Sequence, residues 1–134
     1  MTLRIARHAL AEIRADCAAR APEEACGLLL GESLRVTHVV AAANVADDRL
    51  RHFEIDPAVL FAAHRAARAG GPTILGCYHS HPDGDPMPSA TDAARALDVG
   101  WIWLIVGADA EWAYRVTTNG RIFGRFECLL LVEG

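Results

Sequence analysis

Apolar and polar positions follow two different periods along this chain, and each change of period marks an element. Over residues 5 to about 20, Leu10, Ile13 and Cys17 share one helical face while Glu12, Arg14 and Asp16 point away, and Pro22 ends that helix. "CGLLLG" (26–31) reads as a short buried strand, "GES" as a turn, and "LRVTHVV" (34–40) as its hairpin partner. "NVADDRLRH" (44–52) is a polar loop. Asp56-Pro57 predicts a helix start, with Asp56 as N-cap, and Gly70-Gly71 ends that helix after about Ala69. "TILGCYHS" (73–80) is the next strand, "DGDPMP" a loop, and Ser89 to about Leu97 a short helix. "WIWLIVG" (101–107) is apolar on both faces and belongs centrally in a sheet. "EWAYRVT" (111–117) alternates, with Trp112, Tyr114 and Val116 on one side; Asn119-Gly120 predicts a two-residue hairpin turn, and "RIFGRFECLLLV" the closing strand. The pattern predicts a mixed α/β (α+β) fold, a mostly antiparallel sheet with flanking helices.

Composition narrows the function classes. A chain of 134 residues, 52% hydrophobic and only 22% charged, is expected to form one domain, 1–134, with a real core. Net charge is −4 with acids and bases interleaved, so no basic surface for nucleic acid is expected. The runs "WIWLIV" and "CLLLV" are too short to span a membrane, and charges recur through the first 20 residues where a signal peptide needs an apolar stretch. The expected location is cytoplasmic. Cys17, Cys26, Cys77 and Cys128 are scattered without a C-x-x-C pair and are expected to be reduced, mostly core residues.

The candidate chemistry lies in "CYHSHPDGDPMPSATD" (77–92). Side chains alternate along a strand, so His79 and His81 project from one side and can share an ion. Asp92, eleven residues after His81 on the first turn of a new helix, supplies a third ligand type. Two histidines and a carboxylate form a catalytic zinc set with one position left for water. Each part also has a plain structural explanation: solvated histidines, a Ser89-x-x-Asp92 capping box, loop acids at Asp83 and Asp85. Cys77 shares the face of the histidines, yet a core role is expected for it and for Cys26. His8, His38, His52 and His64 have no ligand spacing. Ser80 points to the opposite face and is expected to anchor the strand end. Trp101, Trp103 and Trp112 are expected in the core.

Taken whole, H-S-H-P, six residues, S, two residues, D resembles the signature of the JAMM metalloprotease family, also called JAB or MPN-plus domains. "APEEACGLLLG" (21–31) is similar to the family's P-x-E-x-x-G-L-L-x-G stretch and aligns its glutamate with Glu24, in preference to Glu23. "FEIDP" (53–57) resembles short bacterial members, and the likeness covers nearly the whole chain.

The resemblance implies a JAB/MPN (cytidine-deaminase-like) architecture and one Zn2+ per chain, held by His79, His81 and Asp92. Such an ion lowers the pKa of its water towards about 7. Glu24 would take that water's proton and pass it to the leaving amine. Ser89 would donate to the developing oxyanion, a contact worth roughly 2.7–4 kcal/mol. Family members hydrolyse peptide or isopeptide bonds after the C-terminal glycine of ubiquitin-like proteins, and some short ones release cysteine from sulfur carriers. The implied partner is thus a small β-grasp protein with a Gly-Gly tail, which an open sheet edge near the metal would bind by strand addition. The alternative within the family is a non-catalytic scaffold, against which the intact set of five residues argues. A zinc deaminase is the rival enzyme, but its signature of H-x-E joined to a downstream P-C-x-x-C is not present.

Overall fold

Seven strands close on themselves in the computed structural model, which describes all residues, Met1–Gly134. The order along the chain is β1 (Thr2–Ile5), α1 (Arg7–Arg20), β2 (Cys26–Glu32), β3 (Arg35–Ala42), α2 (Pro57–Arg68), β4 (Thr73–Ser80), α3 (Ala90–Arg95), β5 (Ile102–Val106), β6 (Glu111–Val116) and β7 (Phe126–Glu133). Around the barrel the order is β1-β3-β2-β4-β5-β6-β7. The pairs β2·β3, β2·β4, β5·β6 and β6·β7 are antiparallel, whereas β1·β3, β1·β7 and β4·β5 are parallel. The class is mixed α+β, as expected, and β5 lies between β4 and β6, the central place its two apolar faces call for.

Three local readings need correction. The first residues form β1, whose Leu3 and Ile5 are fully buried; a four-residue strand beside a strong helical run carries too little periodicity to stand out. Asn119-Gly120 is no two-residue hairpin turn. The connection runs from 117 to 125, and Gly120 is packed so close to Phe126 that an added Cβ would lie 2.3 Å from its carbonyl oxygen. The last strand accordingly begins at Phe126. Third, the sheet offers no open edge at the histidines: His79 pairs with Cys26 of β2 on one side and Ile105 of β5 on the other. Strand addition alongside His79 is therefore closed off.

The helices cover the two faces of the strands. α1 has no side-chain cap at Ala6, so its hold comes from packing: Ala9, Leu10, Ile13 and Cys17 join Leu29, Tyr78 and Leu104 in one apolar cluster. Fully burying a Leu or Ile side chain stabilises by roughly 1.5–3 kcal/mol, which dwarfs a missing cap. A second cluster on the opposite face joins Cys77, Trp103, Ile105, Tyr114 and Phe126. α2 begins as its sequence dictates: Asp56 accepts the Ala58 N–H at 3.0 Å, Pro57 follows, and Gly70 ends the run at φ +95°. No helix is long and apolar enough to cross a membrane. Gly76 lets β4 and β5 meet, since a Cβ there would lie 1.8 Å from the carbonyl oxygen of Ile102.

Candidate metal centre

Strand alternation sorts β4 into two faces. Tyr78 and Ser80 turn towards α1; Cys77 and His79 turn towards α3. Tyr78 donates to Asp16 at 2.7 Å, and the Ser80 hydroxyl accepts the Ala25 N–H at 2.8 Å. Ser80 thus anchors the strand end, as expected, and ties it to the residue after Glu24. His81 lies just past β4, held by its N–H to the Val106 carbonyl at 2.8 Å. The rings of His79 and His81 meet edge to face with centroids 5.0 Å apart.

α3 brings the acid. Ser89 and Asp92 form a full capping box: Ser89 Oγ accepts the Asp92 N–H at 3.0 Å, and Asp92 Oδ2 accepts the Ser89 N–H at 2.9 Å. The same carboxylate stands 3.3 Å from Nε2 of His79 through Oδ1 and 3.3 Å from Nε2 of His81 through Oδ2. Glu24, on the segment entering β2, is 5% exposed, and its carboxylate converges with both imidazoles, ligand atoms within 4.8 Å of one another. Glu23 is turned outward to an ion pair with Arg49, whereas Glu24 faces the imidazoles.

The donor set fits a divalent cation. His81 Nδ1 faces the Asp85 carbonyl at 3.1 Å; a carbonyl only accepts, so Nδ1 carries a proton, and in the neutral ring Nε2 is the nitrogen that presents a lone pair. His79 is fully buried, and burial lowers its pKa, favouring the neutral ring. Neither of its nitrogens has a hydrogen-bond partner, and Glu24 Oε1 is likewise buried and alone. Acceptors facing acceptors at a buried point are costly unless a cation joins them. Neighbouring ligand atoms on a tetrahedral zinc stand about 3.3 Å apart; Asp92 reaches that spacing with His79 through Oδ1 and with His81 through its other oxygen, Oδ2.

Electrostatics separates the two acids. Burial would raise the Asp92 pKa, but its contacts with His79 and His81 and the Ser89 N–H hold it well below the usual range. Burial pushes Glu24 up to about 7; the charge of His81 opposes that rise, and Asp92 and Asp48 add to it. Burial disfavours the charged form of His81 too, but Asp92 and the Asp85 carbonyl outweigh it, so its pKa is raised. One acid is a fixed anion and the other is poised to exchange a proton near neutrality.

The model of the prokaryotic homologs of the JAB domain matches residues 6–118. The chain belongs to this family. This JAB domain is 38% identical over 104 residues to a protein named desampylase from Haloferax volcanii, spanning 76% of this chain and 75% of that one. It is 35% identical over 116 residues to one named "Probable TtuB-protein conjugate cleaving protease" from Thermus thermophilus, spanning 85% and 76%. A solved JAB1/MPN domain protein from Archaeoglobus fulgidus shares the fold, with TM-score 0.62, 20% identity and 98% of each chain covered.

The JAB domain's centre opens on a cleft of about 430 Å³ lined by Glu24, Leu50, Arg51, His81, Met87 and Ser89, among others. Cys26 and Cys77 are not part of it. Both are buried free thiols, and burial pushes the Cys26 pKa up to about 12 and that of Cys77 well above normal, so they stay protonated core residues. Trp103 is core and Trp101 half-buried, but Trp112 is 45% exposed, contrary to expectation. Two contributors carry no ligand pattern in sequence. Phe53 stacks flat on His79, centroids 4.2 Å apart, and Arg95 of α3 donates to the Phe53 carbonyl at 3.1 Å. Only the likeness of "FEIDP" to other members points towards Phe53.

Proposed function

We propose that this JAB domain is a zinc-dependent hydrolase that cleaves peptide or isopeptide bonds after the C-terminal glycine of a ubiquitin-like or sulfur-carrier protein. The observation that carries this reading is the convergence of Glu24, His79 and His81 on one buried point, with the Asp92 carboxylate against both imidazoles. The names of the relatives from Haloferax volcanii and Thermus thermophilus support the substrate class.

His79, His81 and Asp92 would hold the ion. When bound, it supplies Lewis-acid polarisation and a water activated at neutral pH. Glu24, whose pKa burial raises in the metal-free protein, accepts the proton of the attacking water as the C–O bond forms, then returns it to the departing amine as the C–N bond breaks. The leaving group is a lysine side chain, a peptide extension or cysteine; each departs as an amine, so one proton route serves all three. Ser89 donates its O–H to the carbonyl oxygen as charge develops there. That donation is compatible with the cap, because the cap uses the Ser89 oxygen as an acceptor and leaves the hydroxyl proton free. The extended Gly-Gly tail of a small β-grasp partner enters along the loop-walled cleft, since the strand edges at His79 are paired.

The test is metal content by mass spectrometry beside cleavage of a Gly-Gly-tailed carrier conjugate. Wild-type protein should carry about one zinc per chain and cleave. Glu24→Gln should keep the metal and lose turnover; His81→Ala and Asp92→Ala should lose both. Wild-type protein that refuses added zinc would remove the basis of this reading.

A further inference from the structure

One side chain outside the motif, Asn44, ties together two parts of the centre that the strands leave separate. Its Nδ2 donates to the carbonyls of Glu24 and His52, both at 2.9 Å. Its Oδ1 accepts the N–H groups of Ala46 and Glu54, both at 3.1 Å. All four hydrogen-bonding positions of the amide face a partner, and only one orientation works: two carbonyls require the NH2 and two N–H groups require the oxygen.

Glu24 depends on this arrangement. It precedes β2 and has no strand pairing of its own. Its N–H goes to the Arg49 carbonyl at 2.8 Å and its C=O to Asn44, so both its backbone groups end on segment 44–54. The contacts at His52 and Glu54 bracket Phe53, the ring stacked on His79. A rigid amide therefore sets the distance between the segment carrying the carboxylate and the aromatic that supports the buried imidazole.

We infer that Asn44 is a positioning residue for the proton-transfer step: it fixes Glu24 relative to His79 through the Glu24 carbonyl and the backbone on either side of Phe53. This rests on the hydrolase reading above. Displacing a reacting group by about 1 Å costs on the order of a hundredfold in rate, so loosening this joint acts on turnover before it acts on binding.

Asn44→Asp is the informative variant. It keeps the shape and the oxygen that accepts from Ala46 and Glu54, but turns an oxygen towards the two carbonyls; Asn44→Ser replaces it if the aspartate variant does not fold. On a Gly-Gly-tailed conjugate, kcat should fall at least tenfold with KM within twofold and zinc content unchanged. Added to Glu24→Gln, the substitution should lower the residual rate no further. In the substrate-free protein, hydrogen exchange at the Glu24 amide should quicken while the core amides of Leu29 and Leu104 stay unchanged. Undiminished kcat overturns the inference, as does an equal fractional loss on top of Glu24→Gln, or equal acceleration at the core amides. If wild-type protein turns over no conjugate, the hydrolase reading fails instead, and the exchange measurement still decides whether Asn44 holds Glu24.

Discussion

Phe53 lies against the imidazole of His79 with ring planes 17° from parallel and centroids 4.2 Å apart. With Trp103 edge-on at 5.3 Å, it leaves the fully buried histidine no room to rotate. Neither nitrogen of His79 is hydrogen-bonded, so packing does the orienting that a carbonyl or carboxylate does for most metal-binding histidines. Phe53→Ala should weaken zinc binding about tenfold, and Phe53→Leu by less. Competition with a chromogenic chelator measures this; equal affinity in wild type and the alanine variant would show that the ring is dispensable.

Ser89 caps a helix and has a proposed chemical duty as well, and one substitution can separate the two. Ser89→Ala removes the acceptor of the Asp92 N–H and should cost about 1 kcal/mol of stability. The same change removes the proposed oxyanion donor and should lower kcat by about 10²–10³-fold with zinc content unchanged. Thermal unfolding and steady-state kinetics on one preparation give both figures. A loss confined to stability would reduce Ser89 to a helix cap.

The buried acid makes the metal-free protein sensitive to pH in a defined direction. Glu24 titrates near 7 in the fold against 4.5 when free. Between those values the folded chain holds a proton that the unfolded chain has released. Stability from this group therefore falls as pH rises through the window and levels off above it, at up to about 1.4 kcal/mol per pH unit. His79 and His81 shift in opposite directions and add their own slopes, so the comparison is with Glu24→Gln. After chelator treatment, wild type should lose stability relative to the glutamine variant between about pH 4.5 and 7. Parallel denaturation curves across that range would mean the carboxylate is solvated.

Gly76 sets the spacing on which the histidines ride. Alanine there would press its Cβ into the Ile102 carbonyl oxygen and force apart β4 and β5, the pair that includes His79 and Ile105. Gly76→Ala should destabilise by at least about 3 kcal/mol or prevent folding. Soluble expression and a melting curve decide it.

The site was more legible in the chain than the fold around it. His79 and His81, the Ser89–Asp92 box and Asp56-Pro57 are local patterns whose physics completes within a few residues, and each stands where its spacing puts it. β1 is a strand because β3 and β7 flank it, a fact about residues more than thirty positions away. Asn119-Gly120 has strong turn chemistry, but burial of Gly120 against Phe126 overrides it. Apart from the likeness of "FEIDP" to other members, nothing local marks Phe53, since stacking on His79 depends on a loop folding back from the end of β3.

β4 has a ladder on both flanks as far as Ser80, and that has a consequence for how such a protein can change. The histidines sit on a frame that cannot breathe without breaking two sets of hydrogen bonds. Most of the cleft wall comes from Leu50, Arg51 and residues between 81 and 89, which belong to no strand. The proposed partner cleft is thus walled largely by residues outside the strand that carries His79. Grafting new residues at exposed wall positions such as Leu50 and Arg51, with Phe53, His81, Asp85 and Ser89 kept, would be a route to retargeting the proposed hydrolase without disturbing what holds His79 and His81 in place.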